Sequence, residues 1–185
     1  MLREKEPCKT EVLLKNLNMT KQKRLDIVFL NIAKEVSALS HCVRAKVGCV
    51  IVKDGNVISF GYNGTPTGMD NCCEDKLRMN GDEGGWIDPE TIEAQYPFED
   101  DHGRYRLFSK PEVLHAESNA ILKAAKMGFS TNEATMYLTL SPCIDCAKLI
   151  LQSGIKKVIY SELFYRDNGS VEFLKQFIEV EHYEF

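Results

Sequence analysis

Thr135-Met136-Tyr137-Leu138-Thr139-Leu140-Ser141-Pro142-Cys143-Ile144-Asp145-Cys146 reads as a strand running directly into a helix. Residues 135–140 form a short apolar and β-branched run. Ser141-Pro142 then opens a helix over about 143–153, with Ser141 as N-cap, Pro142 at the first helical position and Gly154 as terminator. Downstream, Lys157-Val158-Ile159-Tyr160 is a second strand, residues 171–177 a short helix, and the end adds an edge strand. Upstream, Ala116 to Met127 predicts a helix stopped by Gly128. Val47 to Val52 and Val57 to Phe60 flank Asp54-Gly55-Asn56, a hairpin turn signal. Leu25, Val28, Phe29, Ile32, Val36 and Leu39 recur at steps of three and four, which predicts an amphipathic helix over 20–40 with Thr20 as cap. A hairpin followed by alternating strands and helices predicts a three-layer α/β/α fold with a mixed, about five-stranded sheet.

The 185 residues fit one domain, 1–185, with a long insertion at about 61–113. That segment carries Gly61, Gly64, Gly68, Gly81, Gly84, Gly85 and Gly103 with Pro66, Pro89, Pro97 and Pro111, and shows no apolar period. A connection of this length without regular structure reads as a binding loop, a lid or a metal-held segment. Lys and Arg total 23 against 27 Asp and Glu, a net charge of −4. A mildly acidic chain is poorly suited to holding a nucleic acid polymer through its phosphates. No apolar run approaches the roughly 20 residues that cross a bilayer. Residues 1–6 lack the apolar core of a secretory signal, so a cytoplasmic, reducing location is expected. The 7 cysteines then read as metal ligands rather than disulfides.

His115-Ala116-Glu117 and Cys143-Ile144-Asp145-Cys146 carry the chemistry. Two cysteines three apart at a helix start place both sulfurs where unsatisfied N–H groups favour thiolates. His115, at the start of the preceding helix, becomes a third ligand if both helices begin at the same end of the sheet. Three protein ligands leave a fourth zinc position for water, as in catalytic rather than structural sites. Glu117 is two residues past the ligand and can serve that position as a proton carrier. Alone, a C-x-x-C is as often a structural zinc half-site or a redox pair, and a His-x-Glu often means nothing.

The combination resembles the cytidine deaminase superfamily and, within it, the deoxycytidylate deaminases of the phage type. The H-x-E and P-C-x-x-C pair is the known zinc deaminase pattern. Val47-Gly48-Cys49-Val50-Ile51-Val52, Gly61-Tyr62-Asn63-Gly64-Thr65-Pro66, His115 to Ile121, Met136-Tyr137, Ser141 to Lys148 and Gly154-Ile155-Lys156 carry the likeness, over roughly 22–165. Glu117-Ser118-Asn119 stands where the family usually has Glu-Leu-Asn. The resemblance implies zinc-dependent hydrolysis of dCMP to dUMP and ammonia, supplying dUMP for thymidylate synthesis. It implies attack of an activated water on C4, with Glu117 moving the protons. It also implies that Asn63 binds the sugar hydroxyl and that the Ala116 N–H meets the base carbonyl. For the phosphate it implies an Arg and a Tyr; Arg44 and Lys46 are the candidate cations, and Tyr165, with Tyr160 as rival, the candidate tyrosine.

The family is further regulated by dCTP as activator and dTTP as inhibitor, with Mg²⁺ on the triphosphate. Gly61, Tyr62, Asn63 and Gly64, with Lys123 and Lys126, are the matching effector positions. A site of that kind implies a homo-oligomer, a hexamer by analogy. Some phage-type members hold a second, structural zinc. Cys42, Cys72 and His102 are the candidates here, Glu112 is a further guess, and buried free thiols at Cys42, Cys72 and Cys73 are the plain alternative. Alternative functions are another cytosine nucleoside or nucleotide deaminase, guanine or polynucleotide deamination, and a noncatalytic zinc-stabilised module that senses nucleotides.

Overall fold

A computed structural model describes residues 19–78, 93–164 and 169–183. Helix α1, Lys21–Ser37, starts where Thr20 accepts the Lys23 N–H on its hydroxyl. Strands β1 (Gly48–Lys53) and β2 (Asn56–Tyr62) form the expected hairpin. Its two-residue turn puts both Asp54 and Gly55 at positive φ, 50° and 77°, as a twist-compatible turn requires. Next come β3 (Glu74–Arg78), β4 (Phe98–Asp100) and β5 (Gly103–Ser109), then α2 (Ala116–Lys126), β6 (Thr135–Leu140), α3 (Ile144–Gln152), β7 (Lys157–Glu162), α4 (Ser170–Lys175) and β8 (Glu179–His182).

The main sheet has five strands in the order β2-β1-β6-β7-β8. β1 pairs antiparallel with β2 and β6, whereas β6, β7 and β8 run parallel. Alternation along each central strand divides the core. Cys49, Ile51, Met136, Leu138, Val158 and Tyr160 face α2, α3 and α4. Val50, Val52, Tyr137 and Ile159 face Phe29, Leu30, Ala33 and Val36 of α1. Strands buried on both faces are continuously apolar, as the sequence of 47–52 and 135–140 anticipates. No helix among the described residues is long and apolar enough to cross a membrane.

Three sequence expectations change. The insertion is not irregular throughout, because β3, β5 and β4 make a separate antiparallel sheet. Its strands are short and largely exposed, so their sequences do not read as core strands. Polar contacts hold it: Asp100 takes Lys76 at 2.7 Å and Arg78 at 2.8 and 3.0 Å, while Tyr105 stacks on Phe98 and lies under Lys76. Gly61 and Tyr62, placed at the start of the insertion, belong to β2. The helix after β6 is capped by Cys143 and not Ser141. Ser141 instead accepts the Phe164 N–H on its hydroxyl, and its own N–H goes to Glu162 O, so it continues the strand edge.

Gly61 is where α2 lies flat on β2. A Cβ there would overlap the Ala116 carbonyl oxygen and the Ala120 amide. Ser59 and Asn119 close the same contact, through Ser59 Oγ to Ala120 O at 2.7 Å and Asn119 Nδ2 to Tyr62 O at 2.8 Å. G61A is therefore expected to destabilise the chain by about 1–3 kcal/mol through overpacking. Thermal unfolding checks this: a Tm lowered by several degrees is expected, and an unchanged Tm contradicts the packing argument.

Candidate active site

The cavity of interest lies at the carboxyl end of β6, where ligands commonly sit in α/β sheets. It encloses about 270 Å³. Its floor is the first residues of two helices. His115 is the N-cap of α2 and Cys143 the N-cap of α3, both with extended backbone, φ −76° and −75°. Neither uses its side chain as a cap, so both are free to turn inward. Local pairing fixes each start. Gly64 and Leu114 exchange backbone hydrogen bonds of 3.0 and 2.9 Å, which sets His115 beside Asn63. Ser170 donates to Pro142 O at 2.6 Å, which holds the turn before Cys143.

The Nδ1 of His115 lies 3.5 Å from Cys143 Sγ and 3.4 Å from Cys146 Sγ. Among the described residues this is the one group of three His, Cys, Asp or Glu side chains whose ligand atoms lie within 4.8 Å of one another. Tetrahedral zinc with Zn–N near 2.05 Å and Zn–S near 2.3 Å separates nitrogen from sulfur by about 3.6 Å. One imidazole and two thiols at these spacings therefore fit a zinc ion.

Glu117 is buried, and burial raises its carboxyl to about 7. Hydrogen bonding from Cys146 and the nearby His115 hold the Cys143 thiol down to about 4. Cys146 is pushed above the usual thiol range by its bond to Cys143 and by burial. The Cys143 thiolate in turn raises the His115 imidazole, against the opposing pull of burial. A low-pKa thiolate at a helix N-terminus is what a metal ligand requires.

The structure brings Arg44, Asn63, Ala116 and Glu117 to the cavity with His115 and Cys143. Asn63 is tightly held: Oδ1 accepts the Val47 N–H at 2.8 Å and Nδ2 donates to Ala45 O at 2.8 Å. One amide hydrogen and one lone pair remain for a ligand. Lys46 is not at this cavity; it lines the neighbouring groove with Lys34, Ser37 and Thr139. Tyr160 is buried in the core and stacked on His182. Tyr165 lies outside the described residues.

The effector positions lie along the contact of β2 with α2 and just beyond it. Gly61 and Tyr62 are packing positions against α2 and the α1 side of the core. Gly64 pairs with Leu114, Lys123 sits 3.8 Å over the Phe60 ring, and Lys126 is exposed in the last turn of α2. The proposed second metal set does not assemble. Cys42 is a buried free thiol that donates to Asn63 O at 3.7 Å, and burial and the neighbouring Cys42 push the Cys73 thiol up to about 12. Cys72, one residue earlier, is exposed, and its thiol donates to Glu74 O at 3.5 Å. His102 is exposed at the β4–β5 turn, its N–H donated to Asp100. Glu112 joins no such group among the described residues. Glu74 and Ser109, from the insertion sheet, line the cavity and were not foreseen. Nothing in their sequence context marks them, because their approach depends on the pairing of β3 with β5.

Comparison with known proteins gives the family of the chain. The family model described as the cytidine and deoxycytidylate deaminase zinc-binding region matches residues 23–162. Deoxycytidylate deaminase of Enterobacteria phage T4 is 43% identical over 152 residues, 73% of this chain and 76% of that one. Deoxycytidylate deaminase of Saccharomyces cerevisiae is 35% identical, over 81% of this chain and 41% of that one. Among solved structures, dCMP deaminase of cyanophage S-TIM5 in complex with dCMP and dUMP aligns with a TM-score of 0.66 at 33% identity, covering 90% of this chain and 100% of that one. The chain belongs to the cytidine and deoxycytidylate deaminase family.

Proposed function

We propose that this chain is a single-domain, zinc-dependent hydrolase that converts dCMP to dUMP and ammonia. The observation that carries the reading is the convergence of His115 Nδ1 with the sulfurs of Cys143 and Cys146, beside the buried Glu117, within one cavity. The substrate named for the phage T4 and S-TIM5 relatives supports dCMP.

His115, Cys143 and Cys146 would hold the metal. Zinc so held supplies a water acidified toward neutral pH. Glu117 takes a proton as the water's oxygen adds to C4 of cytosine, and delivers it to N3. Glu117 then moves the proton of the C4 hydroxyl to the amino group, the C4–N bond breaks, and ammonia leaves a carbonyl at C4. The Ala116 N–H, at the start of α2 and at the cavity, would serve the base carbonyl. The remaining hydrogen-bonding capacity of Asn63 suits a sugar hydroxyl. Arg44 at the cavity is favoured over Lys46 for the phosphate, with Tyr165 as a further candidate.

The same reading extends to a cytoplasmic homohexamer that supplies dUMP for thymidylate synthesis. It is activated by dCTP with Mg²⁺ and inhibited by dTTP through the Gly61–Gly64 and Lys123/Lys126 region.

E117Q is expected to retain zinc and lose turnover by roughly 10²–10⁴-fold. Metal content and ammonia release check this, and retained turnover removes Glu117 from the mechanism. Across dCMP, CMP, deoxycytidine and a single-stranded oligonucleotide, dCMP is expected to give the highest kcat/KM. A wild-type, zinc-loaded chain that leaves dCMP untouched while consuming another base contradicts the substrate assignment. Titration with dCTP and dTTP, with and without Mg²⁺, should move the dCMP saturation curve in opposite directions; kinetics indifferent to both end the regulatory reading.

A further inference from the structure

Glu74 and Ser109 face each other as Cα partners at the end of the β3–β5 ladder nearest the cavity. Glu74 Oε1 accepts two backbone N–H groups, from Val43 at 3.0 Å and Arg44 at 3.2 Å. Ser109 Oγ accepts from Arg44 Nη1 at 3.2 Å. One cross-strand pair thus grips a single residue twice, once by its main chain and once by its guanidinium. All three side chains line the catalytic cavity.

Two features make this grip useful for an anion. An exposed arginine otherwise samples many rotamers, and each bond made in advance lessens the ordering that binding must impose. The acceptor at the guanidinium is a hydroxyl and not a carboxylate, so it leaves the positive charge uncompensated and further N–H donors open. The carboxylate of Glu74 is turned onto amide hydrogens, which lessens its repulsion of an incoming phosphate. The platform behind the pair is itself fixed, by the Asp100 contacts with Lys76 and Arg78 and by the Lys110 N–H to Cys73 O at 3.0 Å.

We propose that Glu74 and Ser109 are positioning residues for Arg44, so that the insertion sheet forms part of the substrate's phosphate site. This deepens the dCMP reading and rests on it. The sheet then confers a preference for the 5′-phosphorylated substrate through a residue it does not itself contain.

The test is a mutant cycle on dCMP kinetics. R44A is expected to raise KM for dCMP roughly 10–100-fold, the range for losing a charge-assisted contact. S109A and E74L should each raise it about 3–10-fold, with the loss appearing in KM more than in kcat. On the R44A background the same changes should add less than about twofold, because the residue they position is gone. S109T and E74Q, which keep the acceptor oxygens, should stay within about threefold of wild type. The clasp is overturned if S109A and E74L leave KM unmoved, if they act as strongly without Arg44 as with it, or if S109T and E74Q lose as much as S109A and E74L. S109A keeps the test available should E74L fold poorly. A wild-type chain that turns over other bases but not dCMP overturns the substrate reading, and the clasp with it. dCMP turnover with additive variants overturns the clasp alone.

Discussion

The N-termini of α2 and α3 meet at the carboxyl end of β6, and their meeting brings one imidazole and two thiols toward a common point. The strand order makes this possible. β6 and β7 run parallel, so the chain must cross over through α3, and α3 starts at the same sheet edge as α2. At that edge the helix N–H groups are unsatisfied and favour thiolate over thiol. Gly61 lets α2 lie close enough to β2 for His115 to reach the sulfurs of Cys143 and Cys146. Glu117, one step inside α2, is then buried by that same packing. Ligand geometry, carboxyl burial and cavity position therefore share one cause.

Much of this was legible in the sequence because both faces of the central strands are buried. Residues 47–52 are apolar throughout and 135–140 are apolar or threonine, and runs of that kind leave few alternatives to a central strand. The Asp54-Gly55 turn and the spacing of Cys143 and Cys146 are local and survive any tertiary context. The exposed insertion sheet left no such mark. Glu74–Arg78 and Gly103–Ser109 pair through charge and ring contacts, and polar residues on both faces look like loop. Ser141 was misplaced as a cap for a related reason. Its hydroxyl is drawn off by Phe164, a residue beyond β7 that no local rule brings near.

The same blindness explains the second metal set. Cys42, Cys72 and His102 could be grouped only by their residue types. In the fold, Cys73 rather than Cys72 turns inward to Cys42, and His102 is carried out to the β4–β5 turn. Conversely, Glu74 and Ser109 gain their place at the cavity only once β3 and β5 are paired. Residues that act by positioning another leave little trace in a single sequence, since their identity is set by the register of a sheet and not by a motif.

Zinc K-edge absorption on the purified chain tests the central claim most directly, because it reads the coordination shell without reference to substrate. Two sulfur scatterers near 2.3 Å and two nitrogen or oxygen scatterers near 2.0–2.1 Å are expected, for Cys143, Cys146, His115 and a water. A shell of three or four sulfurs, or a chain that binds no zinc, would contradict it.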